Sequence, residues 1–174
     1  GDVNVGGRVV QLTAGDSHTC ALLASGNVRC WGIPYFGHLG YANTHMIGDN
    51  EAPATAGDVN VGGSVVSVSA GHSHTCAVLA TGNLRCWGWA NEGALGYGNT
   101  NMIGDDELPY TAGNVSVGGA VVQVAAGFSH SCALLSTERV RCWGSGWRGE
   151  LGYGYPVMVG ENALPHTMGD VPVQ

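Results

Sequence analysis

The sequence writes one 56-residue unit three times, with no insertion or deletion between copies. His18-Thr19-Cys20-Ala21-Leu22-Leu23, followed by Val28-Arg29-Cys30-Trp31-Gly32, is the first copy of its most regular stretch. It returns as His74-Thr75-Cys76-Ala77-Val78-Leu79 with Leu84-Arg85-Cys86-Trp87-Gly88, and as His130-Ser131-Cys132-Ala133-Leu134-Leu135 with Val140-Arg141-Cys142-Trp143-Gly144. Ala14-Gly15 and Leu39-Gly40-Tyr41 keep the same phase in every copy. So strict a period restricts the chain to folds in which one supersecondary unit stacks on copies of itself. It assigns 1–56 to repeat 1, 57–112 to repeat 2 and 113–174 to repeat 3, with a fourth copy beginning at Gly169-Asp170-Val171-Pro172-Val173.

Within a unit the segments are short, β-branched and bounded by glycine, which disfavours helix. Two β-prone runs around Ser25-Gly26-Asn27 make a hairpin. Val9 to Ala14 adds a strand before it, and a short run near Asp58-Val59-Asn60-Val61 adds a fourth after it. Four strands per 56 residues describe one propeller blade. The expected fold class is therefore all-β: three four-stranded propeller blades in tandem, an open or partial β-propeller, each blade stapled by a hairpin disulfide. The 30 glycines suit its many tight turns.

The staples follow from hairpin register. If Ala24-Ser25-Gly26 is a three-residue loop with Gly26 left-handed, Leu23 opposes Asn27 and Cys20 falls opposite Cys30 at a non-hydrogen-bonded site. There the Cα atoms lie about 4.5–5.5 Å apart, within disulfide range. The same count pairs Cys76 with Cys86 and Cys132 with Cys142. Each closed loop contributes about 2.7 kcal/mol on the chain-entropy model. Buried free thiols are the alternative reading; zinc is disfavoured because no close-spaced ligand pair exists. Three disulfides imply an oxidising compartment, so the expected localisation is extracellular. The chain begins at Gly1 without an initiator methionine, which reads as a processed product or an excised piece.

The run from Val9 through Gly15-Asp16-Ser17-His18-Thr19-Cys20-Ala21-Leu22, then Gly26-Asn27-Val28-Arg29-Cys30-Trp31-Gly32 and Gly37-His38-Leu39-Gly40, resembles the regulator of chromosome condensation repeat. The resemblance covers essentially the whole chain three times and implies one four-stranded blade per repeat. It does not imply one activity, since that family includes nucleotide exchange factors, enzyme inhibitors and repeat arrays. Two departures stand out. The family usually places Asn and Gln around the Gly-x-Leu-Gly turn, where this chain has His38, Ala94 and Glu150. Repeat three also carries Glu138 where Gly26 and Gly82 sit, at a cost of roughly 1 kcal/mol if it too is left-handed; a different turn type is expected there.

Closed propellers need about 4–8 blades, whereas this sequence holds three plus a surplus outer strand at Asp2 to Val5. Two apolar faces are left open. Blade stacking, strand exchange with a neighbour, or a longer array would cover them.

The repeats diverge in two windows, where a connecting loop is free to specialise. After Trp-Gly, repeat one has Ile33-Pro34-Tyr35-Phe36, repeat two Trp89-Ala90-Asn91-Glu92, and repeat three Ser145-Gly146-Trp147-Arg148. Tyr35, Phe36, Trp89, Glu92, Trp147 and Arg148 are the candidate binding residues, because aromatics and arginine dominate binding hot spots. Packing on the neighbouring blade is the alternative, and Trp89 or Trp147 would also stack on sugar. In the second window Asp49, Glu51, Asp105, Asp106, Glu107 and Glu161 offer oxygen ligands for calcium, but the EF-hand spacing is missing and Ala163 removes one carboxylate. His45 beside Met46 suggests a copper pair, yet repeats two and three carry Asn101 and Val157 instead. No metal and no cofactor is assigned.

His18, His74 and His130 recur once per unit rather than converging with a nucleophile. They are read as structural, each ring hydrogen bonded to a backbone carbonyl nearby. Trp31, Trp87 and Trp143 are read as wedges between blades. No lysine and a net charge of −7 argue against nucleic acid as a partner, and no apolar run is long enough to span a membrane. The expected function is a non-enzymatic, secreted scaffold or self-assembling module whose partner is itself. A protein-binding or inhibitor module on the diverged loops, and a lectin-like carbohydrate binder, are the alternatives. Nucleotide exchange on a GTPase, which the resemblance also implies, fits poorly with disulfides and missing blades.

Overall fold

The computed structural model describes residues 1–173. Nine strands form in three sets: β1 Val9–Ala14, β2 His18–Leu23, β3 Val28–Gly32; β4 Val65–Ala70, β5 His74–Leu79, β6 Leu84–Gly88; β7 Val121–Ala126, β8 His130–Leu135, β9 Val140–Gly144. Each set is an antiparallel sheet in chain order, one blade per repeat. Registers match the sequence expectation: Cys20 faces Cys30, Cys76 faces Cys86 and Cys132 faces Cys142. All three pairs are disulfides, with Cα atoms 4.0–4.1 Å apart. The hairpin turn is also as expected, with Leu23 N–H donating to Asn27 O at 2.8 Å and Gly26 left-handed at φ 86°. Repeat three does not change turn type. Glu138 adopts φ 64°, and Leu135 N–H still donates to Arg139 O at 2.8 Å.

Among the described residues the fourth strand is absent: each blade has three strands, not four. Val59, Val115 and Val171 each donate one backbone hydrogen bond to the third strand, at Val28, Leu84 and Val140. Two residues later Val61 N–H closes back on Val59 O at 3.1 Å, and Val117 on Val115 likewise. This i to i+2 closure turns the chain away before a second ladder bond forms. Asp2 to Val5, expected as a surplus strand, forms none either. Side chains hold these segments instead. Arg29 donates to the Val5 and Ala54 carbonyls and pairs with Asp58 at 2.9 Å; Arg141 does the same with Val117 and Asp170.

Each first strand carries a bulge, so that Val10, Val66 and Val122 are thrown out to solvent and the residues after them keep their inward phase. The core lies between blades. One cluster joins Cys20, Leu22 and Val28 of the first blade to Val65, Val68 and Trp87 of the second. The other joins Cys76, Val78 and Leu84 to Val121, Val124 and Trp143. At the centre a Cβ on Gly15 would run into the Gly71 carbonyl, and one on Gly71 into the Gly127 carbonyl, so glycine is what lets the blades close up.

Candidate functional site: blade junctions and an aromatic rim

Every junction is stitched by the same polar set, from residue i of one blade to residue i+57 of the next. His18 Nε2 lies 2.8 Å from Thr75 Oγ1, and Thr75 in turn donates to the His38 carbonyl. Since the hydroxyl proton is committed there, His18 must donate from Nε2. His74, Ser131 and the Ala94 carbonyl repeat the relay, at 2.9 and 3.0 Å. Trp87 and Trp143, fully buried, donate their indole N–H to those same carbonyls. Trp87 and Trp143 are wedges between blades as the sequence suggested, whereas Trp31, in the first blade, is only partly covered. His18 and His74 are not bound to a backbone carbonyl as expected: their acceptor is a hydroxyl on the following blade.

Burial keeps these rings neutral. His18, stacked on His38 with centroids 4.1 Å apart, is pulled down to about 3, chiefly by loss of water and then by the neighbouring imidazole. His74 is held down to about 4, first by burial and then by His130. Further in, Gln11 makes a two-way bond with the Val68 backbone, at 2.8 and 3.1 Å.

The two ends of the stack lack these partners. Leu12 is 64% exposed, whereas its counterparts Val68 and Val124 are buried. Trp31 is only partly covered. At the other end Cys132, Leu134 and Val140 are half-buried and line a shallow cavity of about 130 Å³ with Gln123 and Ala125. Among the described residues no hydroxyl meets His130, the counterpart of His18 and His74.

The diverged loops gather on one rim. Phe36 of the first blade stacks on Trp89 of the second, centroids 5.0 Å apart, and Tyr35 lies beside Phe36. Phe36 and Glu92 occupy equivalent positions and are both left-handed, at φ 60° and 55°, a strain of about 1–3 kcal/mol that clusters at functional loops. At the second junction Glu92 stands where Phe36 did, and buried Ser145 where Trp89 did. The plug is gone, and a groove of about 570 Å³ opens between Trp89, Phe128, Trp147, Arg148 and Glu92. Phe128, which leans on His72 at 4.0 Å, was not singled out from sequence; its divergence from Asp16 and His72 at the same repeat position was the available signal. The fold brings the six sequence candidates onto one rim and adds Phe128 to them.

The acidic loops behave differently. Among the described residues Asp105, Asp106 and Glu107 bring three possible ligand atoms within 4.8 Å of one another. Burial, then Asp106, lifts the Glu107 carboxyl to about 7. Asp49 and Glu51 do not join them. They line a separate groove in the first repeat with His45 and Met46, and Glu51 accepts from Gly48 N–H.

A family model for the Regulator of chromosome condensation (RCC1) repeat matches residues 9–37, 65–94 and 121–149, and a second model of that repeat matches 81–134. The chain is 35% identical over 129 residues to the human Regulator of chromosome condensation, covering 74% of this chain and 28% of that protein. It is 30% identical over 157 residues to the Ultraviolet-B receptor UVR8 of Arabidopsis thaliana, covering 88% of this chain and 33% of the receptor. With human E3 ubiquitin-protein ligase HERC2 it shares 32% identity over 139 residues, covering 79% of this chain and 3% of the ligase. The chain thus spans a third or less of these relatives. Among solved structures, Prp20p of Saccharomyces cerevisiae superposes with a TM-score of 0.70 at 21% identity, over 96% of this chain and 39% of Prp20p. Three disulfides, one per blade, fit an oxidising compartment, and no helix is long and apolar enough to cross a membrane. With the repeat model matched once in each blade, the chain belongs to the RCC1 repeat family.

Proposed function

We propose that this chain is a non-enzymatic, secreted scaffold module that binds protein, and that its main binding surfaces are the two end faces of the blade stack. One observation carries the reading: each end presents half of the junction that holds the interior blades together. The first blade offers Leu12, Trp31 and the Thr19 hydroxyl, while the third offers Leu134, His130 and the Glu150 carbonyl. An exposed apolar face of blade-forming residues is stabilised only by a blade laid over it. Self-assembly through such contacts is heterologous, so it gives a ring or a filament according to whether the rotation closes.

Sedimentation over a concentration series tests this. We expect species larger than the 17.8 kDa chain, and Leu12→Asp or Leu134→Asp should return the single chain while leaving its unfolding midpoint nearly unchanged. A lone chain at every concentration overturns the reading.

The rim groove supports a second reading, a docking site for another protein. Ser145 leaves open the space that Trp89 fills one junction earlier, and Trp147 and Phe128 flank it, 61% and 66% exposed. Ser145→Trp should plug it and abolish binding of a rim-docked partner without changing the fold; a lectin role would instead appear as binding on a glycan array that the same variant removes.

A further inference from the structure

We propose that the blade covering the third blade is the first blade of a second copy of this chain, and that Glu138 and Arg8 form the lock between them. This rests on the end-face reading above and names its partner.

In the interior, the turn of each hairpin leans on the start of the next blade's first strand. A Cβ on Gly26 would collide with the Ser64 hydroxyl, and one on Gly82 would come within 2.9 Å of the Ala120 Cβ. Val65 N–H donates to the Gly26 carbonyl and Val121 N–H to the Gly82 carbonyl, both at 2.8 Å. The contact is therefore glycine against a small residue, twice. At the two ends both members depart from this rule, and in complementary ways. The turn residue of the third blade is Glu138, and the residue equivalent to Ser64 and Ala120 in the first blade is Arg8. Glu138 keeps the left-handed turn conformation despite its side chain. Large, oppositely charged groups stand at a junction position that the interior keeps small, and a head-to-tail contact between copies brings them together.

The rest of the junction fits the same register. His130 Nε2 would donate to Thr19 Oγ1 of the second copy, as His18 does to Thr75 and His74 to Ser131. Thr19 and Trp31 of that copy would both donate to the Glu150 carbonyl, as Thr75 and Trp87 do to His38. Gln123 would pair with the Leu12 backbone as Gln11 does with Val68. One bond is lost: Ala125 stands where Thr13 and Ser69 accept from Ala70 and Ala126. The ion pair compensates at the periphery, where Arg8 is the one residue of its repeat position that no turn of the described residues covers.

Sedimentation velocity of the intact chain and three variants tests the lock. Arg8→Glu and Glu138→Arg should each weaken association roughly tenfold, and combining them in one chain should restore it. Raising salt to about 0.5 M should weaken the wild type and the double variant alike. Association that survives both single reversals overturns the Glu138–Arg8 lock but leaves the end-face reading standing. Failure of the double variant to recover, with its melting midpoint intact, also overturns the lock. Absence of any association in the wild type overturns both.

Discussion

The middle blade and the two end blades carry the same motif in different surroundings. Trp87 and Trp143 each have a preceding blade to press against and are wholly buried; Trp31 has none and is half covered. Cys76 is buried under the Ser131 hydroxyl at 3.8 Å, whereas Cys132, its counterpart, is partly open. A repeat therefore has no fixed stability of its own. What a residue contributes is set by whether the next unit covers it, as in other linear arrays.

The comparison breaks most visibly at the tryptophans. Trp87→Ala empties a packed site between two blades and removes the hydrogen bond to the His38 carbonyl, so it should destabilise the chain by about 3–5 kcal/mol in urea unfolding. Trp31→Ala opens onto solvent, where the site collapses or fills with water, and should cost less than about half as much. Equal losses would mean that the blades are stabilised individually rather than by stacking. In a concentrated sample Trp31→Ala should instead cost association.

Acid should pull the blades apart through the same junctions. His74 is neutral in the folded chain down to about pH 4, against an ordinary value of 6.5. Below pH 6.5 the unfolded chain takes up a proton that the folded chain refuses. Stability must then fall as pH drops from about 6.5 to 4 and level off below, for a loss on the order of 3 kcal/mol from this ring. Urea midpoints measured between pH 7 and 4 read this directly. His74→Gln, which keeps a donor for Ser131 but cannot be protonated, should flatten the curve, and an unchanged slope would show that the ring is not what acid attacks. His18, held down to about 3, and His38, also lowered by burial, contribute to the slope that remains.

Much of this was legible in the sequence because it repeats. The hairpin register and the three disulfides each follow from local spacing that all three copies share. The fourth strand was not legible, because the Val59–Val61 closure that ends it depends on one backbone bond, while the residue pattern still alternates like a strand. The histidine acceptors were missed for another reason. They lie 57 residues away, one more than the period, so no window within a repeat contains both partners. The offset is nonetheless a readable rule: Gln11 to Val68, Thr13 to Ala70 and Ser69 to Ala126 obey it too. The rim groove needed both views, since the repeat sets Ser145 at the position of Trp89 but only the fold shows Phe36 stacked on Trp89 at the first junction and a groove at the second.

The smallest effect concerns the turn at which repeat three departs from the others. Glu138 holds φ 64° where Gly26 and Gly82 hold 86° and 81°. Replacing it with glycine relieves a left-handed side chain, about 1–2 kcal/mol, against a backbone entropy cost of about 0.5–1 kcal/mol. Glu138→Gly should therefore raise stability by about 0.5–1 kcal/mol, seen as a small rise in the urea midpoint. The reverse change one blade earlier is not its mirror image. Gly82→Glu incurs the same backbone strain and also drives a side chain into Ala120 of the next blade, so its loss should exceed that gain severalfold. Among the described residues no blade presses on Glu138 as Ala120 presses on Gly82, so its side chain meets no such collision.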